Sequence, residues 1–542
     1  MRHALTWVLI GLAAVVVLAT AALVALPRLV ETARVQSLIA TGAAQALGRP
    51  VKFQSLSVTV LPYPAARLHE LEIADDAAFG AGPFIRLDTA DFRLKLAPLL
   101  RGRVEFATLV LKEPRIALIQ GADGRWNFAS LGSAREPAAA PRPSSRGGGG
   151  VGAAPGTLVS RIIVDKGVVT YESRAAGGGH RARYRLEGVD LALTSAPGAM
   201  SLAGAARVMP GDIVIRITDG TLGLSGARSL AEASLRAGLA IDGKDVRPAV
   251  AAAWGAEPAI AGALSGRLTV SGTVARPHAA GEIEVQGPSV TRTSRDCAEP
   301  RRRTLPLSAM KATVTWDDGR LVLQPLSTGV GGGSVTTKLA ATAIPATTAE
   351  VSDLVVKGVP LERVLVDFLC EGYAVSGPLD LTGGFTFAVG DPVRTLVGGG
   401  RLRVGAGKVV GARALTLLSD LVRLGTGVTS VLGLDVPRVA TSSPLEFESI
   451  VGTYEVRGGV VTTRDLLYTS RAMKVKVAGD YALATGQVSF DVVVDDGRRQ
   501  LQAKVTGPAA SPAIRVAPAA IIRQLDPEKA ERSLKDLLKK FR

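Results

Sequence analysis

At 542 residues the chain is too long for one ordinary core, which implies several domain equivalents or an elongated repetitive body. Hydrophobic residues make up 47% and charged residues 21%, which excludes a disordered chain; 61 glycines and 30 prolines beside 4% aromatics favour short strands and tight turns over a helical bundle. A net charge of +16 marks an anion-attracting surface, and two cysteines with four histidines exclude a cysteine-rich zinc module or a disulfide-dense scaffold.

From Ala4 to Pro27 no side chain carries a charge, and about twenty apolar residues suffice to cross a bilayer as a helix. Ala19-Thr20-Ala21 resembles a cleavage site, but the apolar run exceeds the roughly 7–15 residues of a secretory signal core. Residues 1–27 therefore read as a cytoplasmic stub and an uncleaved transmembrane anchor. Arg2, Arg28 and Arg34 fall on both sides of it, so the charges barely set orientation. No further span follows, and a short stub with a large exported body is the simplest arrangement. Export argues against nucleic acid as a partner despite the basic charge.

Residues 28–133 read as a β domain with a leading helix. Leu29, Val30, Val35, Leu38, Ile39 and Leu47 sit at roughly helical spacing, and Gly48-Arg49-Pro50 ends the helix. Farther on, Phe92, Leu94 and Leu96 alternate with Asp91, Arg93 and Lys95, the period-two mark of a strand with one buried face. Strands follow around Val104–Leu111 and Arg115–Gln120, with a tight turn at Asp123-Gly124 before Trp126-Asn127. Residues 134–156 carry almost no large apolar side chains and read as a flexible linker, the clearest expected domain boundary.

Residues 157–400 repeat the alternation as a strand-rich body. Leu268, Val270 and Val274 alternate with Arg267, Thr269 and Thr273; Ile283 and Val285 alternate with Glu282, Glu284 and Gln286. Residues 401–525 form a further β domain, in which Val475 and Val477 oppose Lys474 and Lys476, and Val488, Phe490, Val492 and Val494 oppose Gln487, Ser489, Asp491 and Asp495. Three helices interrupt the strands: Pro360 to about Leu369, Ala412 to Leu434, and a terminal amphipathic helix at 526–542. The last opens on Asp526-Pro527-Glu528 and sets Leu534, Leu537, Leu538 and Phe541 against lysines, suiting it to the body's own end or to an anionic membrane surface.

One-faced strands ordinarily hide their apolar sides in a two-sheet sandwich. The number of strands and the shortage of aromatics favour the other solution, a curled sheet whose apolar face lines a groove. Composition leaves both open, with the sandwich ahead. No catalytic constellation is legible, which points away from an enzyme: His3, His69, His180 and His278 are scattered, and Gly405-x-Gly407-Lys408 lacks both the first glycine and the Ser/Thr of a phosphate loop. Cys297 and Cys370 are candidates for a disulfide in an oxidising compartment, which their spacing alone does not test. The Arg301-Arg302-Arg303 run reads as a solvated loop, with anionic headgroups as its functional alternative.

The segments Gly48–Asp76 and Pro98–Leu131, behind an apolar anchor, resemble the amino-terminal region of the bacterial AsmA family. In the second segment the pair is Trp126-Asn127 rather than the family's more familiar Asn-Trp order. The segments Leu402–Leu415, Leu445–Val494 and Val505–Val516 resemble its carboxy-terminal domain. The resemblance implies a bridge-like lipid-transfer protein of the AsmA and TamB-like kind, anchored in the inner membrane with its body in the periplasm. It implies a mainly β fold, in which an amino-terminal transmembrane helix precedes an elongated, twisted antiparallel β-groove with a few amphipathic helices. Phospholipid acyl chains would lie on residues such as Leu268, Val270, Val274, Ile283, Val285, Val475, Val477, Val488, Phe490, Val492 and Val494. Partners would be membrane phospholipids and outer-membrane or envelope proteins, with no cofactor and no metal. The rival reading is a non-enzymatic scaffold for outer-membrane protein assembly.

Overall fold

The computed structural model describes residues 33–59, 65–80, 82–95, 106–121, 123–131, 159–174, 180–227, 229–254, 257–295, 297–317, 319–342, 348–371, 374–410, 446–471, 473–495, 497, 500–509 and 511–516. The expected anchor within 1–27, the linker at 134–156 and the helices at 412–434 and 526–542 lie outside the described residues. Among the described residues no helix is long and apolar enough to cross a membrane. The fold is mainly β, built of antiparallel ladders with few short helices. The chain divides into two units: residues 1–244 with 265–281 and 316–318, and residues 245–264 with 282–315 and 319–542.

The first unit begins with helix α1, Ala33–Leu47, which Gly48 ends by turning left-handed at φ 71°. Ala43, Ala44 and Leu47 lie on strands Ser55–Thr59, Ala65–Ala74 and Pro83–Leu94, over the buried side chains Leu56, Leu68, Leu71, Leu87 and Ala90. The alternation predicted for Asp91–Leu96 falls in the last of these strands as far as Leu94, with Ala90 and Phe92 on the packed side, while Leu96 lies outside the described residues.

Strand Val159–Arg174 then runs parallel to both Phe106–Lys112 and Arg115–Gln120, with Leu109 beside Ile162 and Leu118 beside Tyr171. The strands before and after residues 134–156 are thus hydrogen-bonded neighbours within one unit, and the expected boundary does not interrupt the ladder. Antiparallel pairing continues through His180–Ala196, Ala199–Met209, Ile213–Gly223 and Ser234–Gly243. The registers align one apolar row across the unit: Leu56, Leu68, Ala90, Leu111, Val164, Leu191, Gly204, Ile217 and Leu239.

A buried polar knot ties the start of this unit together. Arg49, 4% exposed, pairs with Asp75 at 3.2 Å, lies over the Phe84 ring at 5.3 Å and donates to Ser130 Oγ at 2.8 Å and to the Asn127 carbonyl. Asn127, fully buried, donates from Nδ2 to both Asp75 carboxylate oxygens and to the Ala117 carbonyl, and accepts the Ile119 N–H at Oδ1. A buried amide satisfied on all sides specifies one arrangement of the segments it joins. The Gly-Arg-Pro, Asp-Asp and Trp-Asn elements of the sequence meet at this knot.

In the second unit Asp245 accepts the Arg247 N–H at the start of a helix at Arg247–Trp254, which sequence reasoning did not anticipate. An antiparallel meander of eleven described strands runs in chain order: Arg320–Val330, Gly333–Thr342, Thr348–Pro360, Pro378–Ala388, Val397–Val404, Ser449–Arg457, Val460–Thr469, Lys474–Ala482, Gln487–Asp495, Gln500–Pro508 and Ala513–Val516. Ten spacings of about 4.8 Å give this sheet a width of about 48 Å. The helix expected from Pro360 is present, its turns Arg363–Phe368 wound as a π-helix. Cys297 and Cys370 are joined in a disulfide across 73 residues, with Cα atoms 5.2 Å apart.

Candidate functional site

In the second unit the registers place one row of small and apolar residues across successive strands: Val335, Val356, Leu381, Leu402 and Gly452. At a bulge between Val451 and Glu455, Gly452 lies against Leu466, and the row continues through Val477, Val492, Ala503 and Val516. A second row beside it reads Leu379, Val404, Ile450, Tyr468, Val475, Val494 and Leu501. Phe490 faces Gly479 and Val505, and Val488 faces Tyr481. Each row exists because strand residues two apart share a face and the hairpin registers keep those faces in step.

One margin of this face is covered. Leu361, Val404 and Phe447 form a buried cluster with Leu365, Val375, Leu379, Ile450 and Tyr468, built on the π-turn and a small sheet of Ala374–Val375, Gly407–Val410 and Glu446–Phe447. Away from that margin the face is open: no described side chain of Lys474–Ala482, Gln487–Asp495 or Gln500–Pro508 is buried. Val475, Val477, Val488, Phe490, Val492 and Val494 are half-buried, whereas Lys474, Lys476, Gln487, Ser489 and Asp491 are exposed. A sandwich core would bury the apolar set; here each keeps part of its surface.

A glycine bed breaks the face on strands Pro378–Ala388 and Val397–Val404. Gly383 pairs with Gly400 and Phe385 with Gly398, and the Tyr454 side chain crosses the bed with its ring 6.0 Å from Phe385 and its hydroxyl donating to the Thr382 carbonyl at 3.3 Å. A Cβ at Gly400 would stand 1.8 Å from the Thr382 carbonyl oxygen, so only glycine fits beneath the ring. Burial pushes the hydroxyls of Tyr454, Tyr468 and Tyr481 above the ordinary phenol range, which keeps them neutral along the face.

The reverse side is charged. Asp491 pairs with Lys504 at 3.8 Å, and Thr462 donates to Asp480 at 2.7 Å. The Thr453 backbone N–H and hydroxyl hold the Asp465 carboxyl below the usual carboxylate range. On this side Asp380, Thr382, Arg401, Arg403, Thr453 and Asp465, together with Val451 and Leu467, border a concavity of about 480 Å³. The sheet is therefore amphipathic, hydrocarbon on one side and mostly polar and charged on the other.

The structure places the other sequence-derived candidates unevenly. Leu268 and Val270, in the first unit, sit half-buried on strand Ala259–Gly272 between exposed Arg267 and Thr269; Ile283 and Val285, in the second, sit half-buried on strand Pro277–Thr293. Val274 departs from the expectation. Gly272, at φ 101°, ends its strand, and Val274 packs against the buried clusters of Phe84, Phe128 and Ala231 and of Met200, Leu222 and Ala233 while its N–H bonds the Ala233 carbonyl. It packs, half-buried, against these clusters beyond the end of the strand. Leu381, Leu402 and Tyr454 were missed; the Leu379–Leu381 alternation carried a signal, while the glycines erased it on Val397–Val404.

No curated protein and no solved structure shows a significant match to the chain. The AsmA family model matches residues 1–195, a stretch that holds the Arg49–Asp75–Asn127 knot and the parallel return of Val159–Arg174. The carboxy-terminal segments that resemble the family lie beyond that match. Over residues 1–195, the chain is similar to the AsmA family.

Proposed function

We propose that the chain is a membrane-anchored, exported, non-enzymatic protein that holds phospholipid acyl chains on the open apolar face and supports lipid movement toward the outer membrane. The observation that carries this reading is the half-exposed apolar row from Val335 to Ala503, which no buried packing satisfies on strands 474–508. Water contact along such a face is unfavourable, and an alkyl chain relieves it. Each methylene fully buried contributes about 0.8 kcal/mol, so about ten methylenes half-covered by one face gain about 4 kcal/mol. That is a millimolar hold per acyl chain, and the two chains of a diacyl lipid together bring it toward about 8 kcal/mol.

Three further observations support the reading. The ionic reverse side lets the same sheet stay wet while its other side is occupied. The Cys297–Cys370 disulfide suits an oxidising compartment such as the periplasm. The apolar stretch Ala4–Pro27, within the matched residues 1–195, has the length and composition of a membrane anchor. Partners would be membrane phospholipids and envelope or outer-membrane proteins.

The test is lipid retention. The full chain, extracted in a mild detergent and analysed by native mass spectrometry, should carry phospholipid at the masses of intact diacyl species. A chain that emerges free of lipid under conditions that preserve its fold refutes the carrier and leaves the assembly scaffold.

A further inference from the structure

A hairpin in the second unit concentrates arginines in an unusual register. Strands Pro277–Thr293 and Arg302–Pro306 pair so that Arg292 stands directly opposite Arg303, with Val290 opposite Leu305 in the next row of the same face. Like charges opposed across a ladder are destabilising, and here no carboxylate among the described residues pairs with them. The Thr293 N–H occupies Glu257, and Arg301 occupies Glu299 at 3.0 Å. Among the described residues no ion pair reaches Arg292, Arg302 or Arg303. Arg303 donates once, from Nη2 to the Ala298 carbonyl at 3.2 Å, and its Nε is buried without a hydrogen-bond partner. Both Arg292 and Arg303 are half-buried, so the two guanidinium groups are partly desolvated beside apolar neighbours. The disulfide from Cys297, inside the hairpin's loop, to Cys370 ties that loop to the end of the π-turn.

We propose that Arg292 and Arg303 form a binding site for the phosphate of an amphiphile, with its apolar part on Val290 and Leu305. Guanidinium forks match phosphate oxygens in pairs, and an anion between the two arginines would cancel their repulsion and satisfy the orphaned Nε. Neutral amphiphiles offer no such gain. The site builds on the acyl-chain reading above but is tested apart from it.

The full chain in a nonionic detergent is titrated with short-chain phosphatidylglycerol, with the matching diacylglycerol, and with inorganic phosphate. Phosphatidylglycerol should bind about tenfold more tightly than the diacylglycerol, as charge-assisted bonds predict. The double variant Arg292→Gln/Arg303→Gln should erase that preference and leave diacylglycerol binding intact; Arg301→Gln, whose partner is Glu299, should retain it. Thermal unfolding checks each variant, and Arg292→Gln alone serves if the double variant loses its fold. A preference that survives both arginine variants overturns the proposal. Inorganic phosphate that binds as tightly as the lipid overturns the lipid as the source and leaves a free-phosphate site. If neither lipid binds, the acyl-chain reading falls; phosphate binding that the variants abolish then still supports the arginine site, and its absence overturns it.

Discussion

A carboxylate at Val492 distinguishes an open apolar face from a packed core. Val492 lies between Val477 and Ala503 in the row that crosses the second unit, and it is half-buried. Full burial of a valine contributes about 1.5–3 kcal/mol, so Val492→Asp forfeits about 1 kcal/mol of transfer free energy. On an open face the new charge stays hydrated and avoids the several-kcal/mol cost of an unpaired buried ion. The melting temperature should therefore fall by only about 2–4 °C. Lipid binding should suffer as well: two or three half-covered methylenes kept off the face, at about 0.4 kcal/mol each, weaken retention about fivefold. Native mass spectrometry beside thermal unfolding reads both quantities, and Gln502→Glu on the charged side serves as the control that keeps its lipid. A loss above about 3 kcal/mol would show that Val492 is covered. Unchanged lipid in a folded variant would show that this face carries none.

Arg49→Leu strands the buried Asp75 carboxylate and should cost about 3–5 kcal/mol by denaturant titration; a cost under about 1 kcal/mol would mean that the knot holds little of the first unit. Cys297→Ser/Cys370→Ser opens a 73-residue loop and should lower stability by about 4 kcal/mol on the chain-entropy estimate, with reductant reproducing the shift on the native chain. Gly400→Ala should destabilise by about 1–3 kcal/mol, because its Cβ meets the Thr382 carbonyl and the Tyr454 hydroxyl; an unchanged melting temperature would contradict that fit. The Ala78 N–H and the Ser130 hydroxyl hold the Asp76 carboxyl below its usual range. A depressed folded-state value contributes stability that is present above about pH 4 and lost as pH falls through that value. The melting temperature should drop below about pH 4, and Asp76→Asn should flatten that dependence.

Strict alternation made the open face legible wherever side chains carried it. Val488 to Val494 and Val475 to Val477 declared their faces in sequence, and the structure brings them together at paired register positions. The glycine bed stayed hidden because Gly398, Gly399 and Gly400 present no side chain to alternate. Val274 kept the right period but sat past Gly272, whose backbone ends the strand. The polar knot was unreadable for another reason: Arg49, Asp75 and Asn127 look like ordinary turn residues until three distant segments close on one another. Cys297 and Cys370 were visible as candidates, but only the packing of loop against π-turn brings them within bonding distance.

The alignment of Val159–Arg174 alongside Phe106–Lys112 and Arg115–Gln120 has a practical corollary. A protease that nicks the chain between 134 and 156 should not release two fragments, because twelve paired positions grip the severed ends from either side. That stretch is accordingly a natural place to insert a cleavable tag or a fluorescent reporter without splitting the unit it interrupts.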